Sequence, residues 1–269
     1  MPTVEGAFAS LHPRELTFAL SEQQIADFRR DGYLLLPGLF TPEEAAEMQD
    51  EADALYAEAS ADSPLNLRYE ISQRGDTGES VVWKIDPFVD ISRKFRSVTR
   101  DRRIFDALAS LYEGYEPRLF KDKLIYKPPH THGNGLHQDY NWWQGFPHSL
   151  INVSIALDAT DESQGCTELF PGYEQGLLTP EGEFHYVPKE KVDFSRGTKF
   201  LAQPGDVALF TAFTPHQAGP NTTDRFRRQI FLTYNDSRDG EFYHAHYEHF
   251  FWYRTKDLSE DRRKQMFFR

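Results

Sequence analysis

Two imidazoles and a carboxylate stand at spacings that allow them to share one ion. His137-Gln138-Asp139 puts the first imidazole and the carboxylate two residues apart, and His216 follows 77 positions after Asp139. In extended chain, residues i and i+2 point to the same side, so His137 and Asp139 can reach one centre. A 2-His-1-carboxylate set occupies three corners of an octahedron and leaves three open, the arrangement used by non-haem Fe(II) oxygenases. The open corners can take a bidentate 2-oxo acid and O2. Arg227, eleven residues past the second histidine, is placed to hold the far carboxylate of such a co-substrate. A fork-shaped guanidinium suits that task. Arg228 is its competitor, because a register shift of one residue would exchange the two.

The ligand pattern has rivals within the chain. There are ten histidines, so H-x-D spacing can arise without a metal. His130-Thr131-His132 and His244-Ala245-His246 also have metal-like spacing. We read His130, His132, His148, His244, His246 and His249 as loop or surface residues. Cys166 reads as a small buried hydrophobe, because no base is identifiable beside it.

The elements that must position these residues follow from capping and periodicity. Ser21-Glu22-Gln23-Gln24 is a capping box opening a short helix to about Arg30. Gly32 to Pro37 reads as a buried strand. Thr41-Pro42-Glu43-Glu44 is a second capping box with proline at the first helical position. Behind it Ala45, Met48, Ala52, Leu55 and Tyr56 share one face to about Glu58. Residues 1–20 read as an irregular arm and 59–78 as polar loop. Val81 to Ile85 reads as a strand, and Arg102 to Tyr112 as a helix. From Arg118 the pattern turns to strands at Leu119–Lys127, Leu150–Leu157, Thr167–Phe170, Val207–Phe213 and Gln229–Tyr234, separated by proline and glycine turns. Helices first and strands afterwards predict a mainly β fold with flanking helices around a double-stranded β-helix, or jelly-roll, core. A jelly roll can bring the His137 and His216 strands face to face across its mouth. We expect one domain over 1–269: a helical, sheet-supporting part at 1–115, the core with the metal site at 116–239, and a C-terminal wrap or lid at 240–269.

Composition removes several function classes. The net charge is −12, from 30 Lys and Arg against 42 Asp and Glu, so there is no generic attraction to nucleic acid or anionic membrane. One cysteine excludes a disulfide framework and a thiolate metal site. Met1 to Ser10 lacks the basic and apolar regions of a signal peptide, and no run approaches a membrane span in length. A soluble, cytoplasmic protein is the default expectation; the sequence leaves its oligomeric state open.

Four blocks in order resemble the phytanoyl-CoA dioxygenase family of Fe(II)/2-oxoglutarate oxygenases, which includes ectoine hydroxylase. They are Ile25 to Gly38, Leu124-Ile125-Tyr126-Lys127-Pro128-Pro129 with Leu136-His137-Gln138-Asp139, Gln164 to Gly172, and His216-Gln217-Ala218-Gly219-Pro220-Asn221 through Arg227. The resemblance covers nearly the whole chain. It implies that His137, Asp139 and His216 ligate iron and that Arg227 pairs with the C5 carboxylate of 2-oxoglutarate. Lys84 is similar to a family lysine near the co-substrate; a solvated strand-edge lysine is the other reading. Two departures stand out. Ala218 replaces a serine that helps the arginine, so Thr211, Thr233, Tyr126 or a water would have to substitute. Pro171-Gly172-Tyr173-Glu174 replaces Pro-Gly-Ser-His at a position that is not a ligand.

An Ala or Gly at the carboxylate position would open a halide slot; Asp139 fills it, so hydroxylation is expected over halogenation. The implied reaction consumes 2-oxoglutarate and O2, hydroxylates an unactivated C–H, and releases succinate and CO2. Desaturation, epoxidation and cleavage are open to the same iron centre. Asn141, Trp142, Trp143 and Phe146 are substrate-wall candidates, with core packing as the alternative for the tryptophans. No concentrated basic patch suits the phosphates of coenzyme A, so a small soluble metabolite is expected. Two other classes stay open at this level: a non-catalytic jelly-roll metal- or ligand-binding protein, and a cupin-like metal hydrolase or isomerase.

Overall fold

The computed structural model describes residues 16–59, 65–173, 176–182 and 185–268. The expectations for 1–15, for part of the 59–78 loop and for Glu174 lie outside the described residues. Both capping boxes form. Ser21 and Gln24 cap α1 (Glu22–Asp31), and Gly32, at φ 79°, ends it in the left-handed conformation that glycine adopts without strain. Thr41 and Glu44 cap α2 (Pro42–Glu58), which buries Ala45, Met48, Ala52 and Leu55. Two further helices, α3 (Arg93–Val98) and α4 (Arg102–Leu111), complete this layer. The short α3 escaped the sequence reading.

The strands form two antiparallel sheets. The larger has seven: β1 (Tyr33–Leu36), β2 (Tyr69–Gln73), β3 (Ser80–Ile85), β4 (Pro117–Lys127), β6 (Ile151–Ala156), β9 (Val207–Thr211) and β11 (Arg227–Asp236), in spatial order β1-β9-β6-β11-β4-β3-β2. The smaller has four: β5 (Asn134–His137), β7 (Thr167–Leu169), β8 (Thr198–Lys199) and β10 (His216–Ala218), in order β5-β10-β7-β8. The jelly-roll expectation is borne out. The assignment of 59–78 to loop is corrected, because β2 lies within it and pairs with β3. Its alternation is masked by polar residues, as befits an edge strand.

Period-2 alternation divides the large sheet into a helix face and a site face. Ile151, Val153 and Ile155 of β6, with Ile230, Leu232 and Tyr234 of β11, pack into the core beneath the helices. The intervening residues turn to the space between the sheets, where Ala156, Phe210 and Phe231 meet Leu169 and Phe200. The same alternation separates the two arginines. Arg228 faces the helices, with its guanidinium on Asp158 (2.6 Å) and Asp53 (2.6 Å). Arg227 faces between the sheets and is buried. Tyr126 follows the helix face too. Its hydroxyl donates to the Ala52 carbonyl (2.6 Å) and its ring packs on Tyr56, so its expected role at the co-substrate is corrected.

Helix α5 (Tyr243–Thr255) crosses β4, and α6 (Glu260–Gln265) follows it. His246 is buried on the inner face of α5, its ring 4.5 Å from that of Phe120. That corrects its reading as a surface residue: the aromatic packing of this helix, not solvent, surrounds it. Arg228→Met should cost about 2 kcal/mol of stability, since it removes charge-assisted hydrogen bonds to a partly buried aspartate. Urea unfolding would measure this, and unchanged stability would contradict the assignment of Arg228 to the helix-face ion pairs and favour its exchange with Arg227.

Candidate functional site

His216 of β10 is the direct cross-strand partner of His137 of β5. The two histidines therefore stand side by side in the small sheet, not across the mouth between two sheets as the sequence suggested. Their rings lie 4.2 Å apart between centroids. β5 ends at His137, and Asp139 opens a 3-10 turn (Asp139–Trp142). Gln138 between them is nevertheless extended, at φ −115° and ψ 129°, so the i, i+2 argument holds beyond the strand. Gln138 itself points the other way. Its amide donates to the Phe213 carbonyl (2.6 Å) and accepts from the Leu178 backbone (2.7 Å), pinning the turn to the segment before His216.

The three side chains converge. Asp139 Oδ1 lies 3.8 Å from His137 Nε2, and Oδ2 lies 3.8 Å from His216 Nε2. One ligand atom from each fits within 4.8 Å of the others, and all three residues are buried. Each imidazole has its Nδ1 against a backbone carbonyl, Gly135 at 2.6 Å and Thr214 at 3.0 Å. Donation from Nδ1 leaves the Nε2 lone pair facing the centre, the tautomer a metal requires. Burial pushes His137 down to about 3, helped by His216, and lowers His216 as well; both imidazoles are neutral at neutral pH. For Asp139 burial acts upward, but Lys123 and the two histidines outweigh it and hold the carboxyl below its usual range. Asn152 donates to Asp139 Oδ2 (2.9 Å), and Thr233 donates to Asn152 Oδ1 (2.7 Å). Two strands of the large sheet thus orient a ligand carried by the turn after the small one. The donor set fits a divalent iron.

A second group with compatible spacing, Asp76, His130 and Asp224, lies on exposed or half-exposed loop positions, with His130 on Asp224 at 2.8 Å.

Two cavities meet at this cluster. The first, about 680 Å³, runs from His137 and His216 to Arg227 and is also lined by Thr167, Ala218 and Lys127. Arg227 Nη1 donates to the Gly165 carbonyl (2.7 Å), while its buried Nε has no hydrogen-bond partner and no carboxylate pairs with it among the described residues. Burial pulls its guanidinium down to about 10. Lys127, which sequence reasoning passed over, reaches the Gly165 and Gly219 carbonyls beside it; burial and then Arg227 bring it down to about 7. Two desolvated cations without an anion favour a bound carboxylate. The hydroxyls named as substitutes at Ala218 are occupied elsewhere. Thr211 bonds Thr214, Thr233 bonds Asn152, and Tyr126 bonds Ala52. Thr167 is the cross-strand partner of Ala218, a pairing that no sequence signal announces.

The second cavity, about 820 Å³, opens on the Asp139 side of His137. Trp142 sets its edge against the His137 ring at 5.2 Å, and Asn141 and Trp143 also line the space. Phe146 does not; it packs behind, on Phe120 and Phe242. Asn141 is bonded to Thr179 (3.0 Å). Lys84 lines the same cavity but is neither solvated nor at Arg227. It is mostly buried on Glu70 (2.6 Å) and near Asp86 (3.5 Å). The cavity also gathers cations that are scattered in the sequence, Lys84 and Lys121 among them already paired with carboxylates. Lys84, Lys121, Lys123 and Arg254 come from three separate elements and converge here, which no local run of the sequence reveals.

Asn152→Ala frees the Asp139 carboxylate from its only described side-chain donor. The expected outcome is a loss of iron affinity of about 10–100-fold, read by Fe(II) titration. Unchanged affinity would show that the Thr233–Asn152–Asp139 chain is dispensable.

Comparison with known proteins agrees with this geometry. A curated 2-aminoethylphosphonate dioxygenase from uncultured bacterium HF130_AEPn_1 is 28% identical over 225 residues, covering 82% of this chain and 84% of that protein. A methylphosphonate hydroxylase from Gimesia maris is 25% identical over 228 residues, covering 85% of each. The crystal structure of EctD from S. alaskensis with 2-oxoglutarate and 5-hydroxyectoine shares the fold at a TM-score of 0.66, with 23% identity over 88% of this chain and 87% of that one. No helix among the described residues is long and apolar enough to cross a membrane. The family model for phytanoyl-CoA dioxygenase (PhyH) matches residues 28–229, and the chain belongs to this family of Fe(II)- and 2-oxoglutarate-dependent dioxygenases.

Proposed function

We propose that His137, Asp139 and His216 hold Fe(II), that Arg227 holds the C5 carboxylate of 2-oxoglutarate, and that the enzyme hydroxylates a small organic anion in the cytoplasm. The observation that carries this reading is the buried three-ligand cluster with an uncompensated guanidinium at the far end of one adjoining cavity. When bound, the iron and its co-substrate supply the oxidising chemistry that converts C–H to C–OH with release of succinate and CO2.

The chain's own residues divide the remaining work. Arg227 and Lys127 attract the co-substrate dianion into the first cavity, and the Thr167 hydroxyl takes the place vacated at Ala218. The Nδ1 donations to Gly135 and Thr214 keep both imidazoles in the ligating tautomer. Asn152 aims the carboxylate. Asp139 also fills the position that a halide would need, which favours hydroxylation. Trp142 and Trp143 form an apolar wall that limits water beside the reacting C–H. Lys84, held on Glu70, shapes the second cavity rather than binding the co-substrate. An organophosphonate is the substrate class to test first. The names of the two phosphonate-oxidising relatives point to it, and so does the cationic lining of the second cavity.

Anaerobic protein mixed with Fe(II) and 2-oxoglutarate should develop a weak visible charge-transfer band. His216→Ala should abolish the band, and Arg227→Ala should raise the 2-oxoglutarate concentration needed for it by about 100-fold, the loss of a charge-assisted bidentate contact of about 3 kcal/mol. No band in folded, iron-loaded wild type would sink the assignment.

A further inference from the structure

We propose that Lys123 is the specificity-determining residue of the second cavity, the cation that takes the oxyanion headgroup of the substrate beside the iron site. The inference rests on the oxygenase reading above and adds to it the residue that selects the substrate.

Lys123 lines both cavities and so stands at their junction, together with His137. It lies on the site face of β4, between Lys121 and Ile125. The neighbouring cations differ from it in one respect. Lys121 is held by Asp86 at 2.7 Å and Lys84 by Glu70 at 2.6 Å. Arg254 is bound to the Leu67 and Tyr69 carbonyls. Lys123 has no carboxylate within ion-pair distance and no hydrogen bond to the protein among the described residues. Its ammonium lies 4.9 Å from the Phe231 ring centroid, a contact that orients a cation without neutralising it.

Charge balance then assigns its partner. A divalent iron and Arg227 together carry three positive charges. Asp139 and a 2-oxoglutarate dianion carry three negative ones. The co-substrate end of the site, which Lys127 also lines, therefore has no negative charge to spare for Lys123. Lys84 and Lys121 are likewise balanced by Glu70 and Asp86. Lys123 remains as a partly buried positive charge beside a metal, and a compact anion in the second cavity would remove that cost. The cavity's tryptophans leave room for the organic part of such a ligand along its wall. A lysine is a point charge with three donors, suited to a phosphonate or a carboxylate headgroup.

The test uses the full chain loaded anaerobically with Fe(II) and 2-oxoglutarate. Calorimetry measures binding of methylphosphonate, 2-aminoethylphosphonate, 3-aminopropanoate as the carboxylate counterpart, and ethanolamine as a compound without the anion. The charge-transfer band reports 2-oxoglutarate affinity separately. We expect at least one anion to bind wild type, Lys123→Gln to weaken it by about tenfold or more, and Lys123→Arg to restore most of it, with 2-oxoglutarate half-saturation unchanged. Preference for 2-aminoethylphosphonate over 3-aminopropanoate identifies the headgroup as phosphonate, and the reverse preference as carboxylate; either supports the assignment. Three results overturn it while the band persists: ethanolamine binding as well as the anions, no anion binding at millimolar concentration, or a Lys123→Gln defect confined to 2-oxoglutarate. Loss of the band in wild type would instead remove the oxygenase reading beneath it.

Discussion

The pairing of β5 with β10 is the constraint on which the site depends. It makes His137 and His216 cross-strand partners, close enough that two neutral imidazoles face one point. Everything else adjusts to that pair. Gln138 fixes the turn that carries Asp139 toward them, and Asn152 with Thr233 holds the carboxylate from the opposite sheet. A backbone ladder sets the geometry of the three candidate ligands, and buried side-chain hydrogen bonds refine it. The amides of Gln138 and Asn152 that hold this geometry are themselves buried and bonded, so the three side chains rest on well-fixed neighbours.

The same architecture distributes charge in an acidic protein. The net charge of −12 says nothing of the local field between the sheets, where Arg227, Lys127, Lys123 and Lys121 all turn inward. Each comes from β4 or β11, where Leu124, Tyr126, Ile230, Leu232 and Tyr234 on the opposite face pack under the helices. Burial of a cation is costly unless an anion or a dipole compensates. Compensation is internal for Lys121 and Lys84, supplied by carbonyls for Lys127, and left to ligands at Arg227 and Lys123. On the proposed reading, the cavities select anions through the field of the fold rather than through surface charge.

Much of this was legible in the residues. The helix starts at Ser21 and Thr41 were readable because capping boxes are local chemistry. The strands of the core were readable because alternation and turn residues are local too. Spacing offered His137 and Asp139 as a pair, because an extended Gln138 turns its neighbours to one side; the resemblance of the surrounding blocks to the family singled out that pair and added His216. Arg227 rather than Arg228 followed from the same two-residue period, once the register of β11 was known. Local signals failed where polarity hid an edge strand, as at Tyr69–Gln73, and where a helix was too short for periodicity, as at Arg93–Val98.

What the sequence determined by itself is the kind of centre: which side chains could bind a metal, which arginine could meet a carboxylate, and which elements would carry them. Only the tertiary structure decided their company. Tyr126 went to the helix core and His246 to the buried face of α5. Thr167 came opposite Ala218, and the lysines of β3 and β4 met the end of α5 around one cavity. The reason is physical. Hydrogen-bonded capping, alternation and spacing act within a few residues, whereas cross-strand pairing and charge convergence join segments a hundred residues apart, and their partners exist only once the sheets have formed.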